Sequence, residues 1–559
     1  MKEERLSRFG PTSLALLVVL ALVVVSCAPA PVPTQAPEPT AVSGSEAAPT
    51  EEAPPTQAPE EAVDQTLILA LDIPVSGLDP AVIYDLTMRQ TALMYEGLVA
   101  LKSGTAEIVP SLATSWDISP DGMTYAFHLR EGVKFHDGTT LTAEAVKKSF
   151  DRFMEIGKTT AWLFKDVLAE TNVVDDLTVE FKLSRPYAAF LGLLTSVAGP
   201  MVISPTALDE NWGDDMAQGW LFDHAAGTGP YKLESWDPGQ QTISLVKHDD
   251  YWKGWEGERI EKIVSRYVVE TTTRKLMLEN GEVDIVYDLN PDETESLQGV
   301  PGVTVAEEPT MRIFVVFLNN QVGPLQDVKV RQAMAYALDY EGIRKYVYND
   351  KLAPLCGPLP PTDPNSYPCD KVPYKLDMEK AKELLAEAGY PDGGFTLEAS
   401  VMEGDFAFRK TAEILQAQLA ELGIKVNITE VAWTSQWELI SSLDTAPDLI
   451  PMRNYPDFAD SSSIFANQYA SAAWGANGWN LSYYKNERFD ELLEAVTETT
   501  DEKARYDMFQ EMAQLTVDDM ANIFVGTLIN QVSMRDNVIG YKMNPVYIPL
   551  LNAWEMHKE

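Results

Sequence analysis

The chain has 559 residues, 45% of them hydrophobic, with 12 tryptophans and 43 basic against 84 acidic side chains, a formal net charge of −41. That is enough apolar material for two or three large cores. So acidic a chain excludes nucleic acid and anionic membrane surfaces as binding partners.

Lys2, Arg5 and Arg8 precede an apolar run from Leu14 to Val25, which ends at Ser26-Cys27. The run is too short to span a bilayer, which takes about 20 residues. Its charged front, short apolar core and small-residue exit predict a secretory signal over 1–26. VVSC, Val24 to Cys27, resembles the lipobox of bacterial lipoproteins. That resemblance implies that Cys27 is acylated, becomes the mature N-terminus and anchors the protein to a membrane. The alternative is an ordinary signal peptide with an incidental cysteine. From Ala28 to about Asp64 the chain is Ala, Pro, Thr, Gln and Glu without apolar periodicity. Such a composition cannot offset its ordering entropy, so 27–64 is expected to be a disordered linker.

Beyond the linker, strands and helices mix. TLILAL, Thr66 to Leu71, predicts an opening strand. DISPDGMTYAFH, Asp117 to His128, carries acceptors at calcium-loop positions, but position 12 is His128 where a bidentate Glu is needed. Pro120-Asp121-Gly122 between apolar flanks is better read as a hairpin turn. Thr142 is placed to cap a helix with Glu144 in its first turn. Asp377 to Ala388 predicts a helix ended by Gly389 and blocked by Pro391. A second helix is expected from Phe408 to Leu422, stopped by Gly423 and followed by a strand from Ile424 to Val431. With Cys27 assigned to the anchor, Cys356 and Cys369 remain, bracketing a Pro-rich segment. Outside the cytoplasm a disulfide is their natural pairing, with two buried thiols as the alternative.

The five histidines form no metal or catalytic motif, and HExxH, GxSxG, the P-loop and the dinucleotide glycine fingerprint are all absent. His136-Asp137 is not a dyad, since neighbours on a strand point to opposite sides. These readings predict neither an enzyme nor a bound cofactor or metal.

PSLATSWDISPDGMTYAFHLREGVKFHDGTTLTAEAV, Pro110 to Val146, resembles the signature stretch of the oligopeptide/dipeptide/nickel class of extracytoplasmic solute-binding proteins, family 5. Further blocks agree in the same order, among them GTGPYKLESWDPGQQTISLVKHDDYW from Gly227 and FLNNQVGPLQDVKVRQAMAYALD from Phe317. One departure is local: Ala145 stands where relatives usually carry an acid, which removes half of a capping box. The resemblance covers the chain from Thr66 onward. It implies an α/β, periplasmic-binding-protein-like fold of the large type II class, with mixed sheets and a hinge. Lobe I would comprise 65–105, 206–308 and 526–559, lobe II 106–205 and lobe III 309–525. The implied function is that of a monomeric receptor of an ABC importer, closing on a solute and docking on a membrane permease.

For the solute, the resemblance places a peptide amine near a strand of lobe III, in DLIPMRNYPDFAD, Asp448 to Asp460. Asn454 best matches the amine-binding Asp of relatives. A neutral amide suits hydroxyls or amides better than a buried ammonium, and Asp457 would supply the charge if the loop is shifted. Met452 and Arg453 precede it; Arg453 either meets a ligand carboxylate or pairs with Asp457. Tyr84, Trp162, Phe164, Trp433, Trp474 and Trp479 are the expected aromatic contacts. A peptide is the first expectation and an oligosaccharide the second. Nickel and haem are disfavoured because no His falls in these segments. A secreted hydrolase and an adhesion protein are the remoter alternatives.

Overall fold

The structure is a computed structural model describing residues 63–475, 478–547 and 550–559. The expected signal over 1–26, Cys27 and all but the end of the 27–64 linker lie outside the described residues.

The first strand, β1 (Thr66–Leu71), buries Leu67 and Leu69, as its alternation requires. A small hairpin, β2 (Val99–Leu101) with β3 (Ile108–Pro110), leads into a four-stranded antiparallel sheet. That sheet consists of β4 (Ala113–Ile118), β5 (Thr124–Leu129), β6 (Leu168–Asp175) and β7 (Thr178–Leu183), in the order β4-β5-β7-β6. The β4–β5 turn contains the expected Pro120-Asp121-Gly122; Gly122 adopts a φ of 69°, which favours glycine there. Helix α1 (Ala143–Ile156) starts where Thr142 accepts a hydrogen bond from the Ala145 N–H. Phe127, Phe150, Phe153, Phe181 and Phe190 form an aromatic core under this sheet.

A second sheet runs through the rest of the molecule. Its first half comprises β8 (Tyr231–Asp237), β9 (Thr242–Lys247), β10 (Lys262–Tyr267), β1 and β11 (Ile285–Val286). Then come two long strands, β12 (Val303–Leu318) and, from near the chain's end, Asn522–Arg535. The second half contains β13 (Leu352–Ala353), β14 (Thr396–Met402), β15 (Lys425–Val431) and β16 (Leu449–Asn454). With Asn522–Arg535 as β17, the order is β15-β14-β16-β12-β17-β11-β1-β10-β9-β8, and β13 pairs with β17. β14 is parallel to β15 and β16, and β1 is parallel to β10 and β11, while β12 is antiparallel to both β16 and β17.

Each half has its own core. Leu67, Leu69, Tyr231, Leu245, Ile263, Ile285, Val532 and Met534 belong to one, and Phe314 to Leu318, Met334, Leu415, Phe465 and Ile523 to the other. The ladder between β12 and β17 joins them. Its register breaks between Pro309 and Ile313, where Thr310 Oγ1 donates to the Leu528 carbonyl and the Met311 N–H donates to the Pro545 carbonyl. The break therefore leaves these polar groups paired.

Helix α2 (Ala161–Phe164) lies beside α1. Farther along, α3 (Met378–Glu387) is capped by Asp377 as expected. The helix expected from Phe408 is α4 (Phe406–Ala420), two residues earlier, because the Asp405 carboxylate accepts from the Phe408 N–H and fixes the start. Cys356 and Cys369 are joined by a disulfide. Among the described residues no helix is long and apolar enough to cross a membrane.

One buried ion pair ties the Asp79 loop to α1. Arg152 contacts Asp79 at 2.5 Å with both side chains at most 4% exposed. Removing one partner leaves the other charge buried, which costs about 3–5 kcal/mol. Urea unfolding of Asp79→Asn is expected to show a loss of that size, whereas Lys147→Gln, which breaks the exposed Lys147–Asp151 pair, should change stability by under about 1 kcal/mol.

Candidate functional site

The two halves meet on either side of the β12–β17 break, and the side chains there decide what can be held. β16 lies against β12 with Ile313 opposite Asn454, Phe314 opposite Arg453 and Val315 opposite Met452. Successive strand residues face opposite ways, so Met452 and Asn454 share one face and Arg453 takes the other. Arg453 pairs with Asp405 and lies over the Phe408 ring at 4.6 Å; burial is the largest single influence and lowers its pKa, but the Asp405, Tyr348 and Asp288 charges together outweigh it and raise the guanidinium pKa. Arg453 thus has an internal partner that is not Asp457. Met452 is buried in the core of the second half.

Asn454 is 7% exposed at the end of β16. Its Oδ1 accepts from the Tyr455 N–H at 2.9 Å, which fixes the amide's orientation. Its Nδ2 is a buried donor without an acceptor among the described residues.

The loop after Asn454 is held at several points. Asp460 receives two 2.8 Å hydrogen bonds from Arg505, and Ser461 donates to Asp363 at 2.7 Å. Phe458 is fully buried in the aromatic core beneath the four-stranded sheet. Gly192 of that region approaches so closely that a Cβ would sit 3.1 Å from the Ala459 carbonyl. This clamp positions Asp457. Its N–H donates to Ser463 Oγ at 2.8 Å, Asn467 Nδ2 donates to Oδ2 at 2.6 Å, and the Tyr84 hydroxyl donates to Oδ1 at 2.6 Å. Tyr84 comes from the loop after β1, so the last bond joins the two halves. Asp457 is 6% exposed, and among the described residues no cation is in ion-pair contact with it. Burial pushes its carboxyl up to about 6, against the lowering effect of the Tyr84 hydrogen bond. Burial and then the Asp457 charge raise the Tyr84 phenol well above its ordinary value.

Tryptophans gather beside this carboxylate. Helix α5 (Trp433–Ile440) carries Trp433 and Trp437 one turn apart, and both contact Trp479. Trp433 and Trp479 stack with centroids 6.1 Å apart at 15°. The Trp479 backbone N–H donates to the Asn467 carbonyl, which ties this stretch of chain to the residue that holds Asp457. Trp433 stays 44% exposed and Tyr84 37% exposed, so both offer ring surface to a ligand.

A charged group adjoins from the other half. Arg89 contacts Asp72 at 2.5 Å and Asp288 at 3.0 Å, and lies over the Tyr287 ring at 4.5 Å. Arg312, in the β12 break, donates to Asn530 Oδ1 at 2.9 Å.

The remaining expected contacts lie elsewhere. Phe164 is fully buried between Phe153 and Phe190, where a phenyl ring packs best, and presents nothing to the cleft. Trp474 donates its indole N–H to the Tyr484 carbonyl and packs against Tyr483, which makes it a brace. Trp162 is 38% exposed on α2, without a hydrogen bond or ring partner among the described residues. Sequence reasoning missed Trp437, Asn467, Arg89 and Arg312. The i, i+4 spacing of Trp433 and Trp437 was a usable signal; the others come together only through the fold. Among the described residues no group of three or more His, Cys, Asp and Glu is arranged to hold a metal.

The chain matches the family model described as bacterial extracellular solute-binding proteins, family 5 Middle, over residues 107–476. It is 32% identical over 487 residues to the probable D,D-dipeptide-binding periplasmic protein DdpA of Escherichia coli (strain K12), covering 86% of this chain and 92% of that protein. It is 30% identical over 467 residues to the glutathione-binding protein GsiB of Pectobacterium atrosepticum, covering 82% of this chain and 88% of that protein. Among solved structures, the ABC transporter-associated periplasmic binding protein DppA of Helicobacter pylori, in complex with the peptide STSA, superposes with a TM-score of 0.78. It is 28% identical, and the match covers 88% of this chain and 98% of that one.

The Tyr84 hydroxyl favours the ionised form of Asp457. In Tyr84→Phe the Asp457 carboxyl should therefore titrate above about 6. The pH dependence of the fluorescence of the adjacent tryptophans, recorded from pH 4 to 8, measures that displacement.

Proposed function

The chain belongs to the bacterial extracellular solute-binding proteins, family 5, and from that premise we propose that it is the lipid-anchored receptor of an ABC importer for short peptides. Its family consists of transport receptors, and its place is extracytoplasmic. It acts as a monomer with three lobes: I (65–105, 206–308, 526–559), II (106–205) and III (309–525). The separate cores on the two halves of the long sheet and under the small sheet support this division. The cleft between lobes I and III takes the solute, the lobes close around it, and the closed form docks on a permease. No bond of the solute is made or broken, and Cys27 carries the anchor.

One observation carries the peptide reading: the buried Asp457 carboxylate, fixed by Tyr84 and Asn467 with no cation among the described residues. A buried carboxylate favours a ligand that brings a positive charge and N–H donors, and a free peptide N-terminus offers both. The Nδ2 of Asn454 suits a peptide carbonyl, and the Trp433, Trp437 and Trp479 rings suit side-chain contact. A sugar is the second reading, favoured by the exposed Trp433 face and the Asn454 amide.

The charge makes the two separable. With Asp457 near 6, the unliganded carboxyl is protonated below that pH and ionised above it. An ammonium selects the ionised form, so peptide affinity should fall by up to about tenfold per pH unit below 6 and level off above 7. Calorimetry in buffers of different ionisation heat should report proton release on binding at pH 5 and little at pH 7.5. Asp457→Asn and N-acetylated peptides should each lower affinity by at least about tenfold. Unchanged binding of N-acetylated peptides, or preferential binding of oligosaccharides, would overturn the peptide reading.

A further inference from the structure

The disulfide between Cys356 and Cys369 can be reached from solvent, and the loop it closes is fastened to the segment that carries Asp457. Cys369 is exposed and Cys356 half-buried. Both cysteines line a cavity of about 340 Å³, whose wall also includes Leu355, Tyr374, Lys375 and Leu376. A thiolate can approach the bridge through this cavity, and the Lys375 ammonium favours its negative charge. Within the loop, Leu359 and Tyr367 are buried in the core of the second half. Opening the bridge therefore frees the ends of the loop without emptying that core.

Hydrogen bonds lead from the loop to the site. Thr362 Oγ1 donates to the Thr310 carbonyl, in the β12 break, at 3.0 Å. Ser461 Oγ donates to the Asp363 carboxylate at 2.7 Å and accepts from Asn365 Nδ2 at 2.9 Å. Gln510 Nε2 donates to the Asn365 carbonyl at 2.9 Å and fixes the loop from its far side. Ser461 stands immediately before the short helix Ser462–Gln468, and with its hydroxyl engaged by the loop it makes no side-chain cap for that helix. Ser463 and Asn467 of the same helix hold the Asp457 N–H and carboxylate. Bridge, loop, Ser461 and Asp457 are thus joined by one unbroken series of contacts.

We propose that the Cys356–Cys369 bridge is a redox switch on ligand affinity: closed, it steadies the helix that fixes Asp457; opened by a dithiol reductant, it loosens that helix and weakens binding. This switch lies beyond the receptor function itself, and its effect on affinity rests on Asp457 as the ligand's anchor. A thiolate of the reductant attacks the exposed Cys369 sulfur, the S–S bond breaks, and Cys356 leaves as a thiolate that takes a proton from water. The second thiol of the reductant loses its proton, attacks the mixed disulfide and releases Cys369, which is protonated in turn. Two electrons and two protons pass to the chain, and the reductant is left as a disulfide. Outside the cytoplasm the closed bridge is the default, so the switch turns only where such a dithiol is supplied.

The purified chain, treated with dithiothreitol under native conditions and alkylated with iodoacetamide, should carry the label at both Cys356 and Cys369 by mass spectrometry. A bridge reduced only in denaturant overturns the proposal. Hydrogen exchange over 455–468 should be on the order of tenfold faster in the reduced chain than in the oxidised one, with 124–129 unchanged. Calorimetry with Phe-Ala should show affinity lower on the order of tenfold after reduction, and reoxidation of an unalkylated sample with oxidised dithiothreitol should restore it. Ser461→Ala, which cuts the link, should bind Phe-Ala as weakly as the reduced chain and lose little more on reduction. A bridge that serves stability alone would lower the melting temperature and leave exchange and affinity unchanged well below it, and that result overturns the proposal. If the oxidised chain does not bind Phe-Ala, the peptide reading falls, and exchange over 455–468 decides the switch by itself.

Discussion

The ladder between β12 and β17 is the constraint on which the cleft depends. These two strands alone run through both halves of the long sheet, with 303–308 paired to 530–535 in one half and 313–317 paired to 522–527 in the other. Rotation of one half against the other, as the proposed closure needs, would be absorbed where the pairing breaks, between Pro309 and Ile313 and again between Phe314 and Val315. A continuous antiparallel ladder would resist such bending, because each residue opened would expose a backbone donor or acceptor. Here the break is already satisfied by Thr310 and Met311 through bonds to Leu528 and Pro545. The same irregularity is the point at which the proposed closure of the lobes would bend, and it carries Arg312.

The electrostatics of the cleft follow from that position. Arginines and aspartates converge from β12, β16, the Tyr84 loop and the segment after β11, and most cancel as close pairs: Arg89 with Asp72 and Asp288, Arg453 with Asp405. Burying ions is unfavourable unless they are paired and hydrogen-bonded, and these pairs meet that condition without any ligand. Asp457 is left over. Its hydrogen bonds to Tyr84 and Asn467 are weaker compensation than a charge, which is why its carboxyl rises towards 6. The large negative charge of the whole chain has little part in this, since surface charges are screened within about 10 Å.

Much of the fold was legible before any coordinates. The opening strand Thr66–Leu71, the Gly122 turn, the Thr142 and Asp377 caps and the Cys356–Cys369 bridge were all readable, because each depends on residues close in sequence or on simple cysteine arithmetic. The start of α4 moved because the Asp405 cap outranked the apolar pattern from Phe408. Side-chain direction was the harder problem. Met452, Arg453 and Asn454 are consecutive, yet strand alternation sends Arg453 to Asp405 and Phe408, contacts far from it in sequence. Phe164 and Trp162 are two apart on one short helix, and one is core while the other is exposed. Aromatic identity could not separate them; only packing against Phe153 and Phe190 does.

The choice between a peptide and a sugar turns on the same balance of forces. Aromatic faces are indifferent: a Trp ring accepts a sugar face, an aliphatic chain or an ammonium with comparable ease. Asn454 is nearly as permissive, since its Nδ2 donates equally well to a hydroxyl or a carbonyl oxygen. Asp457 discriminates. A neutral sugar that seals the cleft would remove water from a carboxylate whose two fixed hydrogen bonds come from neutral groups, leaving the desolvation cost in place or requiring a proton to cancel it. An ammonium removes that cost and strengthens as the cleft dries, because the local dielectric falls when the lobes close. Closure and cation binding therefore reinforce each other at Asp457, and with a neutral ligand they work against each other.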